Sequence, residues 1–241
     1  MGMPNFGFLG QKPIGTACLE ALLVEFDSSQ VKFAISNRHP KGWWNDNKIY
    51  EIATSRSIRF FDFEDVDNEI LQKLVVENEI SYLLSVQYNK IIAQEVLDLV
   101  EIASYNLHLA PLPQYRGWHS ASHSILNGDS TFGSTIHLIN AQVDNGDIFR
   151  TTTFEYTDES AGQLYLKSEL AGEKIFRELL FDLKGNKSIN CFPQEGQRRR
   201  YKYKDLSERL ENEELPNVLK DRAVDFSFRL QNRSNLKTFK T

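Results

Sequence analysis

Short apolar runs alternate with helical patterns along the first half of the chain. Runs with the length and composition of strands occupy residues 5–10, 31–36, 58–61, 81–86 and 103–108. Between them, apolar residues recur at spacings of three and four, which predicts helices over residues 14–26, 45–56, 69–78 and 92–100. This alternation is typical of a mostly parallel sheet with helices on both faces. We therefore predict a doubly wound, Rossmann-like α/β fold.

The second half of the chain has a different pattern. We predict a helix over residues 120–127, strands over 133–139 and 146–153, and a polar loop between these strands. Ser160 and Gln163 form a capping-box pair that opens a long helix ending at Gly185. Beyond it we expect a short strand over 188–192 and a helix over 208–215. We place a boundary near Gly185, which gives a main domain of residues 1–185 and a small C-terminal extension of residues 186–241.

Composition and charge exclude several classes of protein. The 241 residues are 41% hydrophobic and 25% charged, as in ordinary globular proteins. A net charge of −5 argues against a general nucleic-acid binder. Cys18 and Cys191 lie far apart in sequence and predict reduced thiols, which suits a cytoplasmic protein. We see no secretory signal and no apolar stretch of membrane-spanning length, and therefore expect no membrane partner.

Two polar stretches contain candidate chemistry. Asn106 and His108 stand two residues apart near the end of a strand, so both side chains leave the same face of the sheet. Ligands of such sheets bind beyond the carboxyl ends of the strands. The loop over residues 140–147 adds Asp144 and Asp147 around Gly146. Taken alone, each stretch could be an ordinary hydrogen-bonding pair or a solvated turn.

The order of several motifs resembles that of the folate-dependent formyltransferases. The matching blocks are Asn106-Leu107-His108, then residues 111–117 (Pro-Leu-Pro-Gln-Tyr-Arg-Gly), 127–129, 133–137 and 143–148. The resemblance is dense from Ser81 to Ile148 and looser before Asn78. It implies transfer of a formyl group from N10-formyltetrahydrofolate to an amine, with Asn106, His108 and Asp144 as the catalytic residues.

The chemistry of that reaction suits these three side chains. An uncharged amine attacks the formyl carbon through a tetrahedral intermediate that carries an oxyanion. The Asn106 amide can donate to this oxyanion. His108 can donate to it when protonated, or accept the amine proton when neutral. Asp144 can orient His108 and receive the proton. The sequence leaves the order of proton transfers open.

The resemblance also implies a folate site. The backbone of Ser85, Val86, Gln87 and Tyr88, and that of the loop containing Asn140, Val143 and Asp144, would hold the pterin. No metal is expected, because the histidines lack the spacing of metal ligands.

Among these enzymes, the chain looks most like the sugar N-formyltransferases that act on dTDP-linked 4-amino-4,6-dideoxy sugars. Its loop over residues 10–15 departs from the Gly-Ser-Asn phosphate loop of the purine-pathway enzyme. The stretch after Gly185 is short for the barrel domain of the tRNA enzyme. We expect a nucleotide-sugar substrate, a folate cosubstrate, a homodimer and a product for O-antigen or lipopolysaccharide biosynthesis. The alternatives are formylation of methionyl-tRNA or another amine, and a non-catalytic binder of nucleotide or folate.

The substrate-binding residues follow from the resemblance and from residue type. Lys12 either meets a diphosphate or lies on the surface. Trp44, beside Trp43, either stacks on a nucleobase or packs against a helix. Arg116 contacts phosphate or lines the sugar pocket, together with Tyr115 and Gly117.

Two further features lie outside the expected substrate site. The basic run over residues 198–204 is interpreted as a solvated or dimer-contacting strand rather than a ligand site. We also expect a cis peptide bond at Leu112-Pro113.

Overall fold

The computed structural model describes residues 3–39 and 48–227. Within them, the strands are β1 (Phe6–Gly10), β2 (Val31–Ser36), β3 (Arg59–Asp62), β4 (Tyr82–Val86), β5 (Ala103–His108), β6 (Arg116–Gly117), β7 (Thr131–Leu138), β8 (Ile148–Glu155) and β9 (Arg200–Tyr201). The helices are α1 (Lys12–Glu25), α2 (Ile49–Ser55), α3 (Asn68–Glu77), α4 (Gln94–Leu97), α5 (Ser120–Asn127), α6 (Ala161–Lys184), α7 (Asp205–Leu210) and α8 (Asn217–Val224).

Seven strands form one sheet in the order β3-β2-β1-β4-β5-β7-β8. The pairs from β3 through β5 are all parallel, which confirms the predicted Rossmann-like α/β fold. Because these strands run the same way, Gly10, Val86 and His108 all end at one edge of the sheet. That edge contains the candidate site.

Apolar side chains cover both faces of the parallel strands. On one face, Leu9 and Leu83 pack with residues of α3 and α4 into a buried cluster. Side chains alternate along a strand, so Phe6 belongs to the opposite face, where its ring lies 4.6 Å from that of Phe26 just after α1. Since both faces are covered, these strands are apolar without alternation.

The predicted elements and the observed ones differ at several ends. The capping box of α6 is confirmed, because the backbone N–H of Ser160 donates to Gln163 Oε1 at 2.8 Å. The predicted strand over 188–192 is wrong, since only a single bridge from Phe192 to Ile148 forms there. The helix predicted over 92–100 is observed only as the shorter α4. Near the helix predicted over 208–215, the structure has two short helices, α7 and α8. The predicted helix over 45–56 is described only from residue 48 onward.

The described chain divides into two compact units. The first contains residues 3–39, 48–108, 136–150 and 173–194, and the second contains residues 109–135, 151–172 and 195–227. This division follows contacts within the fold and does not test the domain boundary that we placed near Gly185. That boundary stays a prediction.

The second unit contains a stacked pair of rings, of which His123 is buried and Tyr201 is partly buried. The imidazole of His123, on α5, lies 3.9 Å from the ring of Tyr201 with the planes 13° apart. The guanidinium of Arg209 donates to His123 Nδ1 at 3.1 Å. Burial lowers the pKa of His123 to about 4, and the charge of Arg209 adds to this. The ring is therefore neutral at physiological pH.

In residues 3–39 and 48–227, no helix is long and apolar enough to cross a bilayer.

Candidate active site

Asn106 occupies its place through the pairing of β4 with β5. Ser85 stands directly opposite Asn106 in this parallel pair. The Ser85 hydroxyl donates to Asn106 Oδ1 at 2.9 Å. Because the amide oxygen accepts this bond, the NH2 end of the amide points away from β4.

His137 fixes the other end of the same amide. His137 Nδ1 lies 2.7 Å from the carbonyl oxygen of Leu138, which can only accept, so Nδ1 carries the proton in the neutral ring. His137 Nε2 is then an acceptor, and it receives a hydrogen bond from Asn106 Nδ2 at 3.1 Å. One N–H of the Asn106 amide remains for another acceptor. The amide is thus held at both ends.

Asp144 lies between two imidazoles. Its Oδ2 is 3.6 Å from His108 Nδ1, and its Oδ1 is 3.6 Å from His137 Nε2. These distances are too long for direct hydrogen bonds. The carboxylate of Asp144 nevertheless lies close enough to His108 to favour the charged form of that ring. The structure therefore brings Asn106, His108 and Asp144 together, with His137 as a fourth member of the group.

The environment of His108 favours its neutral form. The residue is only 8% exposed. Burial lowers the pKa of His108 below its usual value. The carboxylate of Asp144 acts in the opposite direction, and a positive charge on His137 would add to the lowering. A neutral imidazole at physiological pH can accept a proton.

The loop of Asp144 has little conformational freedom. Asp144 has a positive φ of 49°, a left-handed conformation that is uncommon for residues other than glycine. A Cβ at Gly146 would lie 1.8 Å from the carbonyl oxygen of Leu138, so only glycine fits there. The side chain of Gln194 donates to the backbone carbonyls of Asp144 at 3.0 Å and Gly146 at 2.8 Å.

The residues expected to hold folate lie at the same sheet edge or in the Asp144 loop. Val86 ends β4 and is buried, and Gln87 follows it with a positive φ of 58°. Tyr88 lies edge-on to Phe63, with the ring centroids 5.2 Å apart, and burial raises the pKa of Tyr88 to about 12. Asn140 Oδ1 accepts from the backbone N–H of Gln142 at 3.0 Å.

Beside Tyr88 the first unit has a cleft of about 310 Å³. It is lined by residues 64–68, Tyr88, Lys90 and Ile91. The Lys90 ammonium donates to the carbonyls of Phe63 and Val66. The cleft therefore adjoins the segment for which we predict pterin contacts.

Lys12 lies at this edge too. It is the first residue of α1, and its ammonium donates to Gln87 Oε1 at 2.9 Å. Lys12 has a φ of 60° and Gln87 has a φ of 58°, so both residues joined by this hydrogen bond have a left-handed backbone conformation. Its role toward a diphosphate stays a prediction.

Three of the predicted substrate-binding residues belong to the second unit. Tyr115 is 3% exposed, and its hydroxyl binds Asp129 and accepts from Asn127 Nδ2 at 2.8 Å. Arg116 is also buried, and a Cβ at Gly117 would lie 2.2 Å from the carbonyl oxygen of Tyr201. Contact of these residues with a substrate stays a prediction.

Two other expectations have different outcomes. Trp43 and Trp44 lie outside the described residues. The Leu112-Pro113 bond is cis, as predicted. In the described part of the chain, His, Cys, Asp and Glu form no group of three or more that could hold a metal ion.

The sequence did not indicate two residues of this site. His137 lies within the matching motif over residues 133–137 and near the end of a strand. This position, like those of Asn106 and His108, could have indicated a role for His137 in the site. Gln194 gave no such signal, because it follows a helix in an irregular segment.

Comparisons with known proteins agree on a family. Residues 27–180 match the family model described as formyl transferase. A methionyl-tRNA formyltransferase of Clostridium tetani is 28% identical over 187 residues, which is 73% of this chain and 58% of that protein. The chain spans about half the length of the curated relatives it matches.

Solved structures share the fold. An N-formyltransferase from Helicobacter canadensis, in complex with folinic acid and dTDP-3-aminofucose, matches with a TM-score of 0.73 and 21% identity, over 92% of this chain and 80% of that one. A 4-N formyltransferase from Francisella tularensis matches with a TM-score of 0.71 and 15% identity, over 92% and 88%. The family model covers well over half of the sequence, and the chain therefore belongs to the formyl transferase family, within the folate-dependent formyltransferase superfamily.

Proposed function

We propose that this protein transfers a formyl group from N10-formyltetrahydrofolate to the amino group of a nucleotide-linked amino sugar, such as dTDP-4-amino-4,6-dideoxyglucose. The observation that carries the proposal is the convergence of Asn106, His108 and Asp144 at the carboxyl edge of the parallel strands. Family membership supports the reaction class. The fold match to sugar N-formyltransferases over nine tenths of the chain supports the sugar class.

Asn106 stabilises negative charge in this reaction. Ser85 and His137 hold its amide, and the remaining N–H donates to the formyl oxygen as the amine nitrogen bonds to the formyl carbon. A fixed donor needs no reorganisation when charge develops, and one such donor contributes about 10²- to 10³-fold in rate.

His108 and Asp144 move the proton. Neutral His108 accepts a proton from the attacking nitrogen, and the nearby Asp144 carboxylate stabilises the resulting imidazolium. The bond between the formyl carbon and N10 then breaks, and N10 leaves with a proton delivered from this pair. Base catalysis of this kind contributes about 10²- to 10⁴-fold.

The residues at the sheet edge suit the folate cosubstrate. The aromatic ring of Tyr88 lines one side of the cleft. The left-handed conformation of Gln87 changes the direction of the backbone directly after β4. We assign backbone contacts with the pterin to Ser85, Val86, Gln87 and Tyr88, and to the loop of Asn140, Val143 and Asp144. Lys12 would contact the substrate diphosphate.

The proposal is tested by product mass. The protein is incubated with N10-formyltetrahydrofolate and a panel of dTDP-linked 3-amino and 4-amino sugars, and each product is examined for the mass of one added formyl group. The Asn106→Ala protein serves as the negative control. Absence of a formylated sugar across the panel would overturn the proposal.

A second candidate is formylation of methionyl-tRNA. The curated relatives favour it, since they are methionyl-tRNA formyltransferases at 28% identity and similar values. A parallel assay with charged initiator tRNA separates the two candidates. The expected homodimer, cytoplasmic location and role in O-antigen synthesis also stay predictions.

A further inference from the structure

Gln194 uses both N–H groups of its amide on the loop of Asp144. It lies in the irregular segment beyond α6 and is 4% exposed. Its Nε2 donates to the carbonyl oxygen of Asp144 at 3.0 Å and to that of Gly146 at 2.8 Å. An amide nitrogen has two hydrogens, so the two carbonyls take both.

The loop needs such a support. Asp144 has a φ of 49°, a conformation that persists only where the surroundings hold it. Gly146 lies tightly against the backbone of Leu138 and has no room to shift toward it. The paired bonds from Gln194 therefore fix the backbone from which the Asp144 side chain projects.

We propose that Gln194 is a positioning residue for formyl transfer, which keeps the Asp144 carboxylate between His108 and His137. This inference rests on the proposed function for its kinetic test. Gln194 acts through the loop and not on the reacting atoms. Substitution of Gln194 therefore affects the chemical step more than the binding of the amino sugar, with the folate cosubstrate kept saturating.

The test removes the two donors and keeps the size of the side chain. In the Gln194→Met protein, kcat for the amino-sugar substrate is expected to fall about 10- to 100-fold, with KM changed by less than about twofold. Asp144 favours the charged form of His108, so a displaced carboxylate also moves the acidic limb of the kcat/KM profile to lower pH.

Gln30 provides a matched control. It is a buried glutamine of the same unit, and its amide donates to the carbonyl of Pro4 at 3.0 Å, away from the candidate site. The Gln30→Met protein is expected to lose stability but to keep the wild-type kcat and acidic limb. Wild-type kinetics in Gln194→Met would overturn the inference. Equal kinetic losses in both variants would overturn it too, because the effect would then be general destabilisation.

A second measurement is independent of activity. Amide hydrogen exchange of residues 143–147 is followed by mass spectrometry in both variants. We expect faster exchange of this loop in Gln194→Met only. If the wild-type protein formylates no substrate, the proposed function fails, while faster loop exchange in Gln194→Met still supports the anchoring. Unchanged exchange in that variant refutes it.

Discussion

The hydroxyl of Ser85 donates to the amide oxygen of Asn106 at 2.9 Å across the parallel pair of β4 and β5. The resemblance assigns Ser85 to the folate site through its backbone. Its side chain orients the amide, since an oxygen that accepts from Ser85 leaves the NH2 end to His137 and to one further acceptor. Ser85 therefore supports the proposed oxyanion donor.

Removal of this hydroxyl should lower the rate without abolishing it. Ser85→Ala leaves the His137 contact in place, so we expect a fall in kcat of about 10-fold, or about 1.4 kcal/mol in the barrier. The matched control is Ser104→Ala in β5, because the buried Ser104 hydroxyl has no hydrogen-bond partner among the described residues. Steady-state kinetics of both variants check this. Equal activity of Ser85→Ala and wild type would show that the hydroxyl does not orient Asn106.

Replacement of Asn106 should be more severe. Asn106→Asp keeps an acceptor for Ser85 but removes the donor and adds negative charge where an oxyanion develops. We expect kcat to fall at least about 10²- to 10³-fold, with folate binding largely kept. Single-turnover formyl transfer and equilibrium folate binding separate the two effects. A variant that binds normally and reacts within about threefold of wild type would exclude Asn106 as the donor.

Removal of the Asp144 charge should shift the pH profile. Burial already lowers the pKa of His108, while Asp144 raises it. Asp144→Asn therefore lowers the His108 pKa further, and the acidic limb of kcat/KM moves to lower pH as the rate falls. The measurement compares both proteins between about pH 5 and pH 8 with one substrate, so that ionisation of the amine cancels. A shift toward higher pH would contradict the assignment of His108 as the base.

Gly146 should tolerate no side chain. An alanine Cβ would lie 1.8 Å from the Leu138 carbonyl oxygen, so the loop must move. We expect Gly146→Ala to lose most formyl-transfer activity and about 2 kcal/mol or more of stability. Gly185→Ala is the control, because its Cβ would meet only ordinary contacts at 3.4 Å and beyond. Urea unfolding and activity are measured for both, and an active, stable Gly146→Ala protein would refute this account.

His123 should make the protein sensitive to acid. Its folded pKa of about 4 lies below the unfolded value of about 6.5, so the unfolded chain binds the extra proton first. Stability is therefore complete above about pH 6.5 and is lost as pH falls toward about 4. We expect His123 to account for about 2 kcal/mol of this loss, less than the full shift implies, because solvent near the ring screens part of the penalty on its charged form.

The variant His123→Asn keeps an acceptor for Arg209 but does not titrate. Urea unfolding at several pH values should show a flatter profile than in wild type, with lower stability at neutral pH from the lost stacking on Tyr201. An unchanged slope would assign the acid sensitivity to other groups.

The sequence predicted the parallel part of the fold well, because strands buried on both faces carry continuous apolar runs. β2, β5 and α5 have the predicted bounds. The region beyond Gly185 was harder to predict. The segment around Phe192 forms no strand there, because it pairs with β8 only through the bridge between Phe192 and Ile148.

Only the site residues that lie in recognisable motifs or at strand ends could be predicted from the sequence. Asn106, His108 and Asp144 follow from strand ends and motif order. The role of Ser85 depends on which residue faces Asn106 in the neighbouring strand, and no pattern within one strand specifies that register. The contacts of Gln194 depend on a path through irregular backbone, which has no periodicity to detect.

The anchoring of the Asp144 loop by a residue 50 positions later affects how the site matures during synthesis. The ribosome releases Asn106, His108 and Asp144 well before Gln194. A nascent chain that stops short of Gln194 contains all three proposed catalytic side chains but leaves the carbonyls of the loop without their donor. Full activity should therefore arise late in translation, after the segment beyond α6 has emerged and folded back.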